Sequence, residues 1–208
     1  ITVTPTVTAG SSFTLCDCNG SGAGTGNITH ADTVTGRGVL VSSSDSKQAS
    51  FLMYGGKISG NHAGTALRGE DGAGVRVQNA SFKMYGGTIT DNHVENMSND
   101  GGGGVAVSTR GKFIMYGGEI SGNTSNGDCG GVYFSSNSST PHTLTISDTM
   151  EISGNSAANG GGVYLNSHNL RMTGGTISGN TATSNGGGVY FNGSTFNVFG
   201  KVSITGNK

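Results

Sequence analysis

The sequence predicts an all-β fold: a right-handed single-stranded parallel β-helix, a solenoid of about seven coils with three short strands each. Three observations predict it. The tetrad Ile-Ser/Thr-x-Asn recurs at Ile58–Asn61, Ile89–Asn92, Ile120–Asn123, Ile152–Asn155, Ile177–Asn180 and Ile204–Asn207, its isoleucines 31, 31, 32, 25 and 27 residues apart. Each interval also holds short segments in which apolar residues alternate with polar ones, the period of a strand rather than a helix. Glycine, finally, supplies 40 of the 208 residues and gathers between those segments, where a chain must turn.

The elements follow in chain order. Residues 1–12 begin with ITVTPTVTAG, in which β-branched residues alternate with threonine around Pro5, and read as an extended segment that joins or covers the first coil. Residues 13–208 read as the repeat domain. One strand of each coil is marked by Val39/Val41, Val75/Val77, Val105/Val107, Val132/Phe134, Val163/Leu165 and Val189/Phe191. A second is marked by Phe13/Leu15, Phe51/Met53, Phe82/Met84, Phe113/Met115, Leu144/Ile146, Leu170/Met172 and Phe196/Val198. The tetrad isoleucine marks the third, with an imperfect earlier copy at Ile28-Thr29. Alternation sends each apolar pair to one face, so like residues should stack in the bore, one strand spacing of about 4.7–4.9 Å apart. No window combines i, i+3, i+4 apolar spacing with caps, so essentially no helix is expected.

The corners have their own chemistry. Asparagine tolerates left-handed backbone, so the tetrad asparagines are expected to form a sharp corner, each amide donating to one neighbouring coil and accepting from the other. The pairs Gly55-Gly56, Gly86-Gly87, Gly117-Gly118 and Gly174-Gly175 also read as corners. No Gly-Lys-Ser/Thr sequence accompanies them, so they are not phosphate cradles.

Composition narrows the function classes. Lys+Arg 11 against Asp+Glu 12 gives a net charge of −1, and charged residues make up only 11%. No nucleic-acid partner is expected from that balance. Apolar runs are only a few residues long, so no membrane insertion is expected either. The first residue is Ile1, and the last tetrad closes at Asn207. These ends suggest a section of a longer rod, with adjacent domains and any targeting signal outside it.

Candidate binding residues lie on the outside. Tyr54, Tyr85 and Tyr116 each follow an inward methionine and should point outward from consecutive coils; Tyr133, Tyr164 and Tyr190 should do the same on the first strand of later coils. Such columns stabilise a sheet, and they also suit contact with glycans or proteins. The step from tetrad isoleucine to next valine is 17 residues from Ile58 to Val75 and 16 from Ile89 to Val105, longer than in the other coils. The inserted loops, His62–Ala73 and His93–Gly103, hold Arg68, Glu70, Asp71, Glu95 and Asp100. Insertions on one side of a solenoid commonly form its binding face, so Arg68, Glu70 and Asp71 join the tyrosines as candidate ligand-binding residues.

Catalytic, metal and redox readings are weaker. His62 and His93 share a slot one coil apart and should stack, but spacing brings together only two ligands where a metal needs three or more. Glu119 and Glu151 share the slot before the isoleucine, as a hydrolase pair would, yet lysine, threonine and serine fill that slot elsewhere. Asp91 is isolated at a corner. Cys16 and Cys18 stand two apart and Cys129 is distant; an odd count argues against a disulfide scaffold, and small semi-buried fillers are expected. No catalytic residue, metal or cofactor is assigned.

The unit GGGVYLNSHNLRMTGGTISGN, Gly160 to Asn180, resembles the β-helix repeats of large bacterial surface proteins of the adhesin type. It is similar, more loosely, to polymorphic outer-membrane-protein repeats with their GG-x-I motif. The resemblance covers roughly residues 13–208. It implies a non-catalytic, extracellular or cell-surface rod that serves as adhesin or spacer and binds glycans or host proteins. The alternative is a polysaccharide lyase or glycoside hydrolase of the pectate-lyase-like fold.

Overall fold

The computed structural model describes residues 6–8, 10–16, 26–29, 36–44, 48–64, 71–95, 101–135 and 142–208. Among them there is no helix, and the strands form long parallel sheets, the arrangement of a parallel β-solenoid. The first segments stack into one sheet of seven strands: Thr6–Val7, Val39–Ser42, Val75–Gln78, Val105–Ser108, Val132–Ser135, Val163–Asn166 and Val189–Asn192. The second and third segments share another sheet. They are separate strands early on, as Ser81–Met84 and Thr88–Thr90. From Lys112–Ser121 onward, through Thr143–Ser153, Asn169–Ser178 and Phe196–Thr205, each pair runs as a single strand through the corner, where Thr149 and Met150 stand opposite Gly117 and Gly118.

The register is like on like. Phe51, Phe82 and Phe113 are directly paired, as are Met53, Met84 and Met115. The isoleucine column runs from Ile28 through Ile58, Ile89, Ile120, Ile152 and Ile177 to Ile204. The rings of Phe13, Phe51, Phe82 and Phe113 stack at 5.2, 4.6 and 4.7 Å. Together with the valines of the first sheet these side chains form one continuous buried core, against which the partly buried Phe13 packs; Ile204, in the last coil, is exposed. Each core side chain contributes roughly 1.5–3 kcal/mol when fully buried, a gain a coil realises only with a neighbour on each side.

Two features depart from the sequence reading. The coils carry a further strand stack just after the tetrad: His62–Ala63, His93–Val94, Thr124–Ser125, Ser156–Asn159 and Thr181–Asn185 form a five-stranded parallel sheet. Most of these strands are too short to show a period, and the asparagines beside them set their register. The ends of the two long loops also pair, Asp71–Gly72 against Gly101–Gly102.

The second departure is at the corner. The left-handed residue is not the asparagine but its predecessor: Gly60, Gly122, Gly154, Gly179 and Gly206 have φ between 61° and 65°, and Asp91 has φ 55°. This frees the asparagine to turn inward, where Asn61, Asn92, Asn123, Asn155 and Asn180 are buried. Each Nδ2 donates to the Oδ1 of the next coil's asparagine, at 2.8, 2.9, 3.0, 2.9 and 3.0 Å from Asn61 to Asn207. The same Oδ1 accepts a backbone N–H from the preceding asparagine. Each Nδ2 also donates back to the isoleucine carbonyl of the coil before, as Asn123 does to Ile89 at 2.9 Å. Within the ladder both donors and both acceptor sites of the amide are used, the full capacity of the group. Asn61 Oδ1, where the ladder starts, has no partner among the described residues.

Candidate functional site

Tyr54, Tyr85 and Tyr116 do form an outward column. They stand just past the inward methionines, before the glycine corner, and are 53%, 40% and 43% exposed. Their rings lie nearly parallel, 4.7 and 4.9 Å apart at interplanar angles of 5° and 11°. Tyr85 is therefore sandwiched, and the column offers solvent its ring edges and hydroxyls rather than a row of free faces. Those hydroxyls make no hydrogen bond within the described residues.

The second column is stacked equally well, Tyr133 to Tyr164 at 5.2 Å and Tyr164 to Tyr190 at 4.7 Å. Its exposure corrects the sequence reading. Tyr133 is only 2% exposed and packs with Ala106 and Cys129, while Tyr164 and Tyr190 are half-buried. Glycine-rich turns lean over the outer face of this sheet. A Cβ on Gly160 would lie 2.7 Å from the Tyr164 Cβ, and one on Gly102 would lie 3.0 Å from the Tyr133 Cβ. Tyr133 is thus not presented to a ligand, for a reason that alternation cannot reveal: a strand's outward face can still be covered by the next turn of chain.

The loop residues Arg68, Glu70 and Asp100 lie outside the described residues, as does the side chain of Asp71. At the base of these loops His62 and His93 are cross-strand partners. Their rings are 5.1 Å apart but tilted by 56°, so they abut without the parallel stacking expected. His62 Nε2 stands 3.1 Å from Glu95 Oε1, at ion-pair distance but not aligned for a hydrogen bond. His93 Nδ1 lies 2.7 Å from Thr124 Oγ1. Burial, then the neighbouring His62, lowers the His93 pKa below the usual histidine value, against an opposing pull from Glu95. Among the described residues no group of three or more His, Cys, Asp or Glu is placed to hold a metal.

Glu119 and Glu151 are direct cross-strand partners on adjacent coils. Cys16 is disulfide-bonded, contrary to the filler role expected for it. Cys18 lies outside the described residues. Cys129 is a free, fully buried thiol, and burial pushes its pKa far up.

Two features escaped the sequence reading. His168 is completely buried: its Nδ1 accepts the His142 backbone N–H at 2.9 Å, and its ring meets Phe134 edge-on at 4.9 Å. Burial, then His142, depresses its pKa to about 4. The other feature is a set of cations beside the exposed tyrosines. Lys83, Lys112 and Arg171 occupy outward positions of the second segments, alternating with buried Phe, Met and Leu. Their columns hold mixed residue types, Leu52, Lys83, Ile114, Thr145 and Arg171 in one of them, so no repeat marks them. No family model matches this chain, and no curated protein or solved structure is significantly similar to it.

Proposed function

We propose that the chain is a non-catalytic, extracellular section of a bacterial cell-surface protein, a right-handed β-helix that serves as an adhesin or spacer rod and contacts glycans or host proteins. The observation that carries this reading is the Tyr54–Tyr85–Tyr116 column, three exposed aromatic side chains fixed in line on a fully packed core. A rigid scaffold that holds exposed aromatics in register loses little entropy on binding. Parallel strands of one sheet are almost always connected with right-handed sense, which supports the handedness. The disulfide at Cys16 suits an oxidising, extracellular compartment.

The test is a screen of the protein on a glycan array and on host extracellular proteins, repeated with Tyr54, Tyr85 and Tyr116 changed together to alanine. Loss of a binding signal in a variant that still folds supports the reading. Unchanged binding with lowered stability reduces the column to a structural ladder.

A hydrolase is the second reading, favoured by the Glu119–Glu151 pairing. Adjacent-coil spacing of about 4.7–4.9 Å falls near the roughly 5–5.5 Å separation of retaining glycosidase carboxylates. Release of reducing ends from polysaccharides, abolished by Glu119→Gln or Glu151→Gln, would establish it in place of the first.

A further inference from the structure

The outer face of the second segments is chemically one-sided. Lys83, Lys112 and Arg171 all project from it, and no carboxylate stands among its described side chains. That bias runs against the chain as a whole, which has 12 acidic residues to 11 basic ones. Glu119 and Glu151 lie on these same long strands, but past the corner at Gly117-Gly118 and its counterpart, on the next face.

The neighbouring tyrosines add to the bias. Tyr85 is two residues beyond Lys83 and Tyr116 four beyond Lys112, so each shares its lysine's side of the strand. With ring faces mostly occupied by one another, the tyrosines present hydroxyls. Ammonium and guanidinium groups are donors only, and a phenol hydroxyl is free to donate. The face therefore combines positive charge and hydroxyl donors with the apolar Leu52 and Ile114 beside Lys83. Lys83 and Lys112 stand on successive coils and Arg171 two coils further, so the cations span about three rungs, roughly 14–15 Å along the rod axis.

We infer that this face binds an anionic polysaccharide, a carboxylated or sulfated glycan laid along the rod axis, with Lys83, Lys112 and Arg171 meeting its charges and the tyrosine hydroxyls its ring oxygens. Charge-assisted hydrogen bonds to carboxylate or sulfate are the strong kind, and Lys83 and Arg171 in one column, with Lys112 two residues to the side, give an extended polyanion successive contacts. The inference rests on the display reading and narrows it to one ligand class. Three cations on a chain of net charge −1 are sparse for nucleic acid, whose binders concentrate basic residues.

The experiment compares binding of the intact chain to hyaluronan oligosaccharides, to size-matched neutral dextran and to single-stranded oligothymidylate, at low and physiological salt. Hyaluronan should bind, and rising salt should weaken it. Dextran should bind at least about tenfold more weakly, and Lys83→Gln combined with Lys112→Gln should weaken hyaluronan about 5- to 10-fold at unchanged melting temperature. Equal affinity for dextran and hyaluronan, unaffected by the lysine changes, overturns the inference and leaves a neutral-glycan display rod standing. Tighter binding of oligothymidylate than of hyaluronan also overturns it, as does failure to bind hyaluronan at all. The display reading is then judged separately on its host-protein arm.

Discussion

Two columns of identical residues climb the same rod, and they differ in everything except their rise. At the inner corner the asparagines from Asn92 to Asn180 spend both donors and both acceptor sites of each amide on neighbouring coils. On the outer face Tyr54, Tyr85 and Tyr116 spend only their ring faces on one another and turn their hydroxyls to solvent. Stacking of like on like therefore has no fixed energetic value. Where water is excluded, a missing partner leaves polar atoms stranded and the column acts as a lock. Where water is present, the same repetition makes a surface that can change with little cost to the fold.

The hardest blow to this contrast falls in the middle of the ladder. Asn123→Ala removes the acceptor of the Asn92 backbone N–H and Nδ2 and the donor to the Ile89 carbonyl, and leaves Asn155 Oδ1 with only the backbone N–H of residue 123. With each stranded group costing about 1–3 kcal/mol, a loss of about 4 kcal/mol in urea denaturation is expected. Tyr133→Ala comes next. This residue stacks like the exposed tyrosines but is buried, so truncation should cost about 3 kcal/mol, in the range of buried aromatic deletions. If Tyr133 and Tyr85 cost the same, stacking and not burial governs, and the contrast fails.

Acid probes the interior at another point. His168 titrates near 4 in the folded chain, below its unfolded value of about 6.5. Its contribution is therefore complete above pH 6.5, falls as pH drops through that value, and is lost below about 4. Linkage sets the ceiling at about 3 kcal/mol. Urea midpoints between pH 7 and pH 4 should decline, and His168→Gln should flatten the decline, leaving the smaller contributions of His93 and His142, whose pKa values burial also lowers. The smallest effect belongs to Tyr85→Ala, exposed and stacked on both sides. About 1 kcal/mol is expected from the lost ring contacts, read as a slight fall in melting temperature.

Legibility in the sequence followed burial. The Phe, Met, Val and Ile columns were readable because an inward position admits few residue types, so the period prints itself on the chain. Their pairing matches residue for residue, as Phe82 with Phe113 and Ile89 with Ile120. The strand stack beginning at His62–Ala63 was not readable, because two residues carry no period and their alignment comes from the asparagines beside them. The candidate site was legible only in part. Tyr54, Tyr85 and Tyr116 were found by their offset from the methionines, whereas Lys83 and Arg171 share a slot with Ile114 and Thr145 between them, and Lys112 lies in another, so they print no repeat.

By itself the sequence determined the rung: which residues point inward, which coil lies over which, and where the glycines let the chain turn. Those properties are local and repeated, so a single chain states them several times over. Only the tertiary structure decided what covers what. The left-handed backbone falls on Gly122 and its counterparts, which lets Asn123 and its neighbours turn into the core. Glycine-rich turns fold over the first sheet and bury Tyr133, while the second face stays open around Tyr85. Cover is a contact between segments distant in the coil, and no periodicity within a strand encodes it.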